Sequence, residues 1–292
     1  MKIGYPCINL SLDCRSSKTF RLASYSEERM RVCIDNNLGC LAKILQYNLK
    51  HDLMFFRITS DLIPFASHPV CTFPWQAIYA SALGKLGEFI RSKGMRVAMH
   101  PDQFVLINSP HEDVFTRSVS ELLYHAELLD LMGVDETAKI QIHVGGVYQA
   151  KAASIKRFIA RYQTLPEKIT RRLVIENDER LYDVHDCLEI HQATKIPVVF
   201  DVFHFQCNNR GELIGSVFAQ VMNTWQQRDG IPIVDYSSQN PAKRRGAHAA
   251  TVNMAEIKLF LSALQGFDFD IMCEIKDKEK SALRIASALR NF

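Results

Sequence analysis

Five imidazoles and four carboxylates occupy positions in this chain where they could act together. His100, His143, Glu176, Asp201, Asp235 and Glu274 each close a short apolar run, namely RVAMH, KIQIH, RLVIE, PVVFD, PIVD and DIMCE. His204 lies three residues after Asp201 in FDVFH, His68 lies in the long stretch ITSDLIPFASHP, and His248 lies in RRGAH. A carboxylate placed directly after buried apolar residues costs several kcal/mol, on the order of ~3–5, unless a cation meets it. A single catalytic ion uses about three or four protein groups, so a set this large predicts two or three closely spaced ions with shared carboxylates. Nitrogen and oxygen donors without thiolate suit Mn²⁺ or Zn²⁺. The chemistry predicted is that of a multinuclear metal site, and the signal is collective, since a lone histidine is ordinarily a surface or core residue. His51, His111, His125, His185 and His191 have no strand-end context and are read as such residues.

These ligands can meet only if the strand ends converge. In a (β/α)₈ barrel they do, on the C-terminal face where active sites are built. The chain alternates strand and helix throughout. After a first strand near Lys2 to Ile8, the segment Ser24 to Glu27 reads as a capping box opening a helix through Met30, Ile34, Leu38, Leu41 and Leu45. A strand follows at about Met54 to Ile58, then a helix from Gln76 to Lys93 ended by Gly94. Ser109, Pro110 and Glu112 predict the start of a helix that runs to Gly133. Further helices are expected at 151–163, 183–194, 212–227, 254–264 and 278–289. Eight near-continuous Val/Ile/Leu strands favour the closed barrel over an open doubly wound sheet. Residues 1–292 are expected to form one TIM-barrel domain with the metal site at the C-terminal face, and 47% hydrophobic content is enough for its core.

Composition excludes several classes. No stretch approaches the run of about 18 apolar residues that a membrane span needs, and MKIGYPCINL lacks a signal-peptide core. A cytoplasmic, monomeric protein is the expectation. No G-x-G-x-x-G or Walker A motif appears, so no nucleotide cofactor is expected. The eight cysteines show no C-x-x-C pair and are read as free thiols. With 35 basic and 32 acidic side chains, the net charge of +3 does not by itself point to a polyanion.

The segments HPDQF, IHVGG, IENDE, FDVFH, RRGAH and CEIKDKE, in this order, together with the opening GYPCINLSL, resemble the UV damage endonuclease family over nearly the whole chain. The resemblance implies a barrel related to the abasic-site endonuclease group. It further implies a cluster of divalent ions, often Mn²⁺, and nicking of damaged double-stranded DNA immediately 5′ of the lesion to leave a 3′-hydroxyl and a 5′-phosphate. Pyrimidine dimers and 6-4 photoproducts are the expected lesions, with abasic sites as a further candidate. The match makes His68, His100, His143, Glu176, Asp201, His204, His248 and Glu274 metal ligands. Two positions depart from the family pattern. Ile233 and Asp235 stand where many members have a Lys-x-His pair, and Phe104 stands where tyrosine is common.

On this reading Glu176 bridges two ions, His100 and His143 complete one of them, and Asp201, His204, His248, Asp235 and Glu274 share the rest. Lys276, two residues beyond Glu274, is a candidate for contacting the phosphate. A photodimer weakens stacking, so separating the damaged bases costs less than in intact duplex, and residues that fill the gap are expected. The resemblance places Gln103 and Phe104 there, with Tyr5 and Asn9 as further DNA contacts. Lys243, Arg244 and Arg245, beside His248, suit backbone phosphates. The competing expectation is a metal-dependent sugar isomerase of the xylose isomerase kind, which would use fewer histidines and no basic loop.

Overall fold

The computed structural model describes residues 1–290. Its strands are β1 (Ile3–Pro6), β2 (Phe55–Ile58), β3 (Arg96–Met99), β4 (Lys139–His143), β5 (Leu173–Glu176), β6 (Val198–Asp201), β7 (Ile233–Tyr236) and β8 (Asp270–Cys273). All pair in parallel, in sequence order, and β8 closes against β1. The helices are α1 (Glu27–Lys50), α2 (Trp75–Ser92), α3 (Glu112–Met132), α4 (Lys151–Tyr162), α5 (Glu167–Thr170), α6 (Val184–Thr194), α7 (Val202–Cys207), α8 (Ile214–Met222), α9 (Met254–Ala263) and α10 (Glu279–Leu289). This is the (β/α)₈ TIM barrel expected from the sequence, with two short additional helices, α5 and α7. No helix among the described residues is long and apolar enough to cross a membrane.

Local chemistry sets the element ends. The N-cap of α1 is Ser26, whose side chain accepts from the Arg29 amide, and not Ser24, which sits in a 3-10 turn. Ser109 does not cap α3; it accepts from the His111 amide, and the helix begins after His111 and stops at Gly133 in the left-handed conformation. Asp183 caps α6 in a reciprocal capping box with Asp186. At Gly4 a Cβ would lie 2.4 Å from the Phe55 carbonyl oxygen, so only glycine lets β1 approach β2 this closely. One expectation fails: Cys14 and Cys40, separated by 26 residues, form a disulfide with Cα atoms 5.8 Å apart, while the other six cysteines are free thiols. It ties the loop after β1 to α1, a pairing that tertiary structure creates and local spacing does not reveal.

Alternation sends every second strand side chain into the barrel, and the interior is layered. At the N-terminal end Arg96 pairs with Asp270 at 2.9 Å and Lys139 with Asp229 at 2.5 Å. Above them Phe55, Ala98, Val174, Val199, Ile233 and Met272 form a separate buried apolar cluster. Two residues further along the same six strands stand Arg57, His100, Glu176, Asp201, Asp235 and Glu274. The apolar layer is thus a floor that closes the barrel beneath a polar rim and raises the cost of any uncompensated charge above it.

Candidate metal centre and nucleic-acid face

The rim side chains form one network. Glu176, at the end of β5, is almost fully buried, and its Oε1 lies 2.8 Å from His143 Nε2 and 3.1 Å from His100 Nε2. Its Oε2 accepts from Gln141 Nε2, which also donates to Asp235 Oδ2 at 2.6 Å. Asp201 caps α7 by accepting from the His204 amide at 2.7 Å, and its other oxygen lies 3.3 Å from His204 Nδ1. Asn177 braces this corner, donating to the Asp201 carbonyl and accepting from the Asp201 amide. Three groups have ligand atoms within 4.8 Å of one another: His100 with His143 and Glu176, Glu176 with Asp201 and His204, and Asp201 with Asp235 and Glu274. The first two share Glu176.

The donor chemistry fits divalent cations. His100, His204 and His248 each direct Nδ1 at a backbone carbonyl, of Pro101 at 2.8 Å, Asn177 at 3.0 Å and Glu274 at 2.9 Å. An Nδ1–H donated to a carbonyl leaves the Nε2 lone pair free to bind an ion. His143 Nδ1 and Asp201 Oδ2 are buried and make no hydrogen bond, and a cation would satisfy such groups.

Charge is strained without one. Burial alone would push His143 and His204 down, yet the Glu176 charge lifts His143 to about 9 and the Asp201 charge lifts His204 to about 10. Glu176 is held well below the usual carboxylate range because the His143 and His100 charges outweigh its burial. Burial lifts Asp201 to about 6 against the pull of His204.

Not every expected residue joins the cluster. His68 is exposed in the loop after β2, where its Nδ1 accepts from the Val70 amide at 3.0 Å, and it belongs to none of the three groups. Tyr5 and Asn9, expected at the DNA, are both buried. Tyr5 is 0% exposed, and its hydroxyl bonds Asn48 of α1 at 2.6 Å and accepts from buried Asn9 at 2.8 Å, so neither side chain is presented at the surface. Gln103 is exposed and Phe104 is 75% exposed. Both line an open cavity of about 520 Å³ over the rim, together with His100, His143, His248, Glu274, Lys276 and Lys278. Lys276 stands exposed on its wall, 3.2 Å from Ala249 only through its backbone amide. Lys243, Arg244 and Arg245 are exposed on the loop after β7, which folds back through a bridge between Gln239 and His248; Arg245 also donates to the Cys207 carbonyl.

Sequence reasoning missed Arg57 and Gln141. Arg57 is 3% exposed, and its Nη2 meets both Asp235 oxygens at 2.9 and 2.7 Å and Gln141 Oε1 at 3.0 Å, while Nη1 donates to Glu274. Burial disfavours the guanidinium charge, but Asp235 and Glu274 more than offset it and raise its pKa. The Arg57 and His143 charges act on Glu274 and Glu176 from opposite sides of the rim, and Glu274 falls to about 2 despite its burial. The available signal was a cation and an amide set among apolar strand residues, in FFRI and KIQIH.

Histidines and carboxylates gathered at the C-terminal mouth of a barrel, beside the wall lysines Lys276 and Lys278 and an exposed aromatic, define a candidate metal-dependent barrel enzyme. The model of the UV-endonuclease UvdE family matches residues 1–292, and the chain belongs to that family. It is 36% identical over its full length to the UV DNA damage endonuclease of Clostridium perfringens (strain 13 / Type A), covering 71% of that protein. The crystal structure of SacUVDE superposes with a TM-score of 0.96 at 44% identity, covering 100% of this chain and 98% of that one. The protein is therefore an endonuclease of UV-damage repair. The D-psicose 3-epimerase of Clostridium cellulolyticum H10 superposes at a TM-score of 0.56 with 13% identity over 86% of this chain and 91% of that one, a likeness of fold alone, and the isomerase alternative has no further support.

Proposed function

We propose that this endonuclease cuts the phosphodiester immediately 5′ of a UV photoproduct by divalent-metal-assisted hydrolysis, leaving a 3′-hydroxyl and a 5′-phosphate. Pyrimidine dimers and 6-4 photoproducts are the proposed lesions, with abasic sites as a further candidate. The observation that carries the reading is the pair of ligand groups sharing Glu176 beneath an open, basic-walled cavity. Divalent ions, Mn²⁺ by preference and Zn²⁺ as the alternative, neutralise a phosphate and lower the pKa of bound water towards neutrality.

The protein's part is to hold, orient and shield. Glu176 shares its carboxylate between the His100–His143 and Asp201–His204 corners, which sets the spacing of the site. The carbonyls of Pro101, Asn177 and Glu274 fix three imidazoles with Nε2 available. The apolar layer beneath keeps bulk water from the buried carboxylates. Lys276 and Lys278 supply positive charge on the cavity wall, and Lys243, Arg244 and Arg245 suit the flanking phosphates. Gln103 and Phe104 enter the gap that a lesion opens by weakening stacking. No base-reading hydrogen bonds are needed, since the lesion's lower cost of separation supplies the selectivity. His68, as a ligand, would have to swing in from its loop.

Product mapping tests this. A duplex with one pyrimidine dimer and a 5′ label on the damaged strand should yield a single product ending directly before the dimer. Its nick should be sealable by DNA ligase, which requires a 3′-hydroxyl and a 5′-phosphate. Cleavage on the 3′ side, or a nick that ligase cannot seal, overturns the proposal.

A further inference from the structure

Among the described residues, Arg57 is the one arginine or lysine buried among the strand-end carboxylates. It has the geometry of a permanent substitute for a metal ion. Its side chain rises from β2 across the barrel mouth, 3% exposed, and the planar guanidinium meets both oxygens of Asp235 and one of Glu274. Nη2 alone spans the two Asp235 oxygens while Nη1 reaches Glu274, so one guanidinium bridges two carboxylates, and a guanidinium does not give up its proton in a protein.

The three ligand groups are therefore unequal. His100, His143 and His204 all fall in the two groups that share Glu176, and the third, Asp201 with Asp235 and Glu274, contains no imidazole. In that third group both Asp235 oxygens are taken by Arg57, and Oδ2 additionally accepts from Gln141 at 2.6 Å. An ion entering there would have to displace a two-point guanidinium contact and then lie beside the fixed positive charge it displaced. Gln141 extends the same brace to Glu176, so the Arg57–Asp235 pair also holds the carboxylate that the other two groups share.

We propose that Arg57 replaces one divalent ion, so that this protein binds two ions, both at groups containing Glu176, and uses Asp235 as the counter-charge of Arg57 instead of as a metal ligand. Arg57 is in this sense a positioning residue, acting through Asp235, Gln141 and Glu274. The inference rests on the reading that the cluster binds divalent ions, and it fixes their number.

The experiment is equilibrium dialysis of the chelator-stripped full chain against Mn²⁺, with bound metal counted by mass spectrometry. The wild type should bind two ions per chain. Arg57→Gln should bind three, because Asp235 and Glu274 are left without a cation, and Arg57→Lys should return the count to two. Asp235→Asn should stay at two, and this variant decides the matter alone if Arg57→Gln does not fold. Three ions in the wild type, two in folded Arg57→Gln, or loss of an ion in Asp235→Asn would each overturn the proposal. A wild type that binds no ion removes the metal-centre reading itself, an outcome distinct from a wrong count.

Discussion

Replacing Phe104 by alanine should separate recognition from folding. The ring is 75% exposed at the cavity edge, next to exposed Gln103 and in a segment that begins at His100. A side chain with so little buried area contributes little to the folded state, so truncation should change stability by less than about 0.5 kcal/mol. Against an unstacked lesion the same ring has a base to cover, and base–aromatic stacking is worth about 1–3 kcal/mol. At about 1.4 kcal/mol per factor of ten, the variant should bind a duplex containing one pyrimidine dimer roughly 5- to 150-fold more weakly. Fluorescence anisotropy in chelator, where the account predicts no cutting, measures this directly. Undamaged duplex should show a much smaller change, because no gap is present for the ring to fill. Lesion affinity within twofold of the parent, or a melting temperature lowered by several degrees, would refute the reasoning.

Three other perturbations follow from the same geometry. Glu176→Gln should lower nicking by more than the ~10–100-fold that loss of a supporting partner around a metal costs, because it removes the carboxylate shared by two ligand groups; single-turnover rates that stay within tenfold of wild type would remove Glu176 from the centre. Alanine at exposed Lys243 and Arg244 should reduce the slope of log K against log salt by about 0.9 per lost phosphate contact, equally for damaged and intact DNA, in a salt titration of binding. Mn²⁺ affinity should rise with pH. In the metal-free protein carboxylate charges lift His143 to about 9 and His204 to about 10, so both imidazoles are protonated at neutral pH and must lose that proton to bind an ion. Each proton released adds about a factor of ten in affinity per pH unit below these values; isotherms at three pH values between 6 and 9 that coincide would contradict the assignment.

The barrel and most of the candidate ligand set are legible in the sequence for one physical reason. A parallel strand covered on both faces must be apolar along its length, so a histidine or carboxylate at its last position stands out, as in RVAMH and RLVIE. Strand order then follows from the alternation with helices. What stayed hidden depends on contacts between distant segments. Arg57 looks like an ordinary polar residue within FFRI, and its role appears only when β2 and β7 face each other across the mouth. Tyr5 lies in a motif that resembles the family's opening, but strand alternation turns it outward from the barrel onto Asn48, away from the rim. The Cys14–Cys40 disulfide joins positions with no local pattern. His68 sits on a loop whose path no periodicity specifies.

Nicking of supercoiled plasmid, UV-irradiated against untreated, with Mn²⁺ and then with excess chelator, tests the central claim most directly. The account predicts relaxation of the irradiated plasmid alone, abolished by chelator and restored by added Mn²⁺. Equal nicking of both plasmids, nicking that persists in chelator, or no nicking by folded, metal-loaded protein would contradict it.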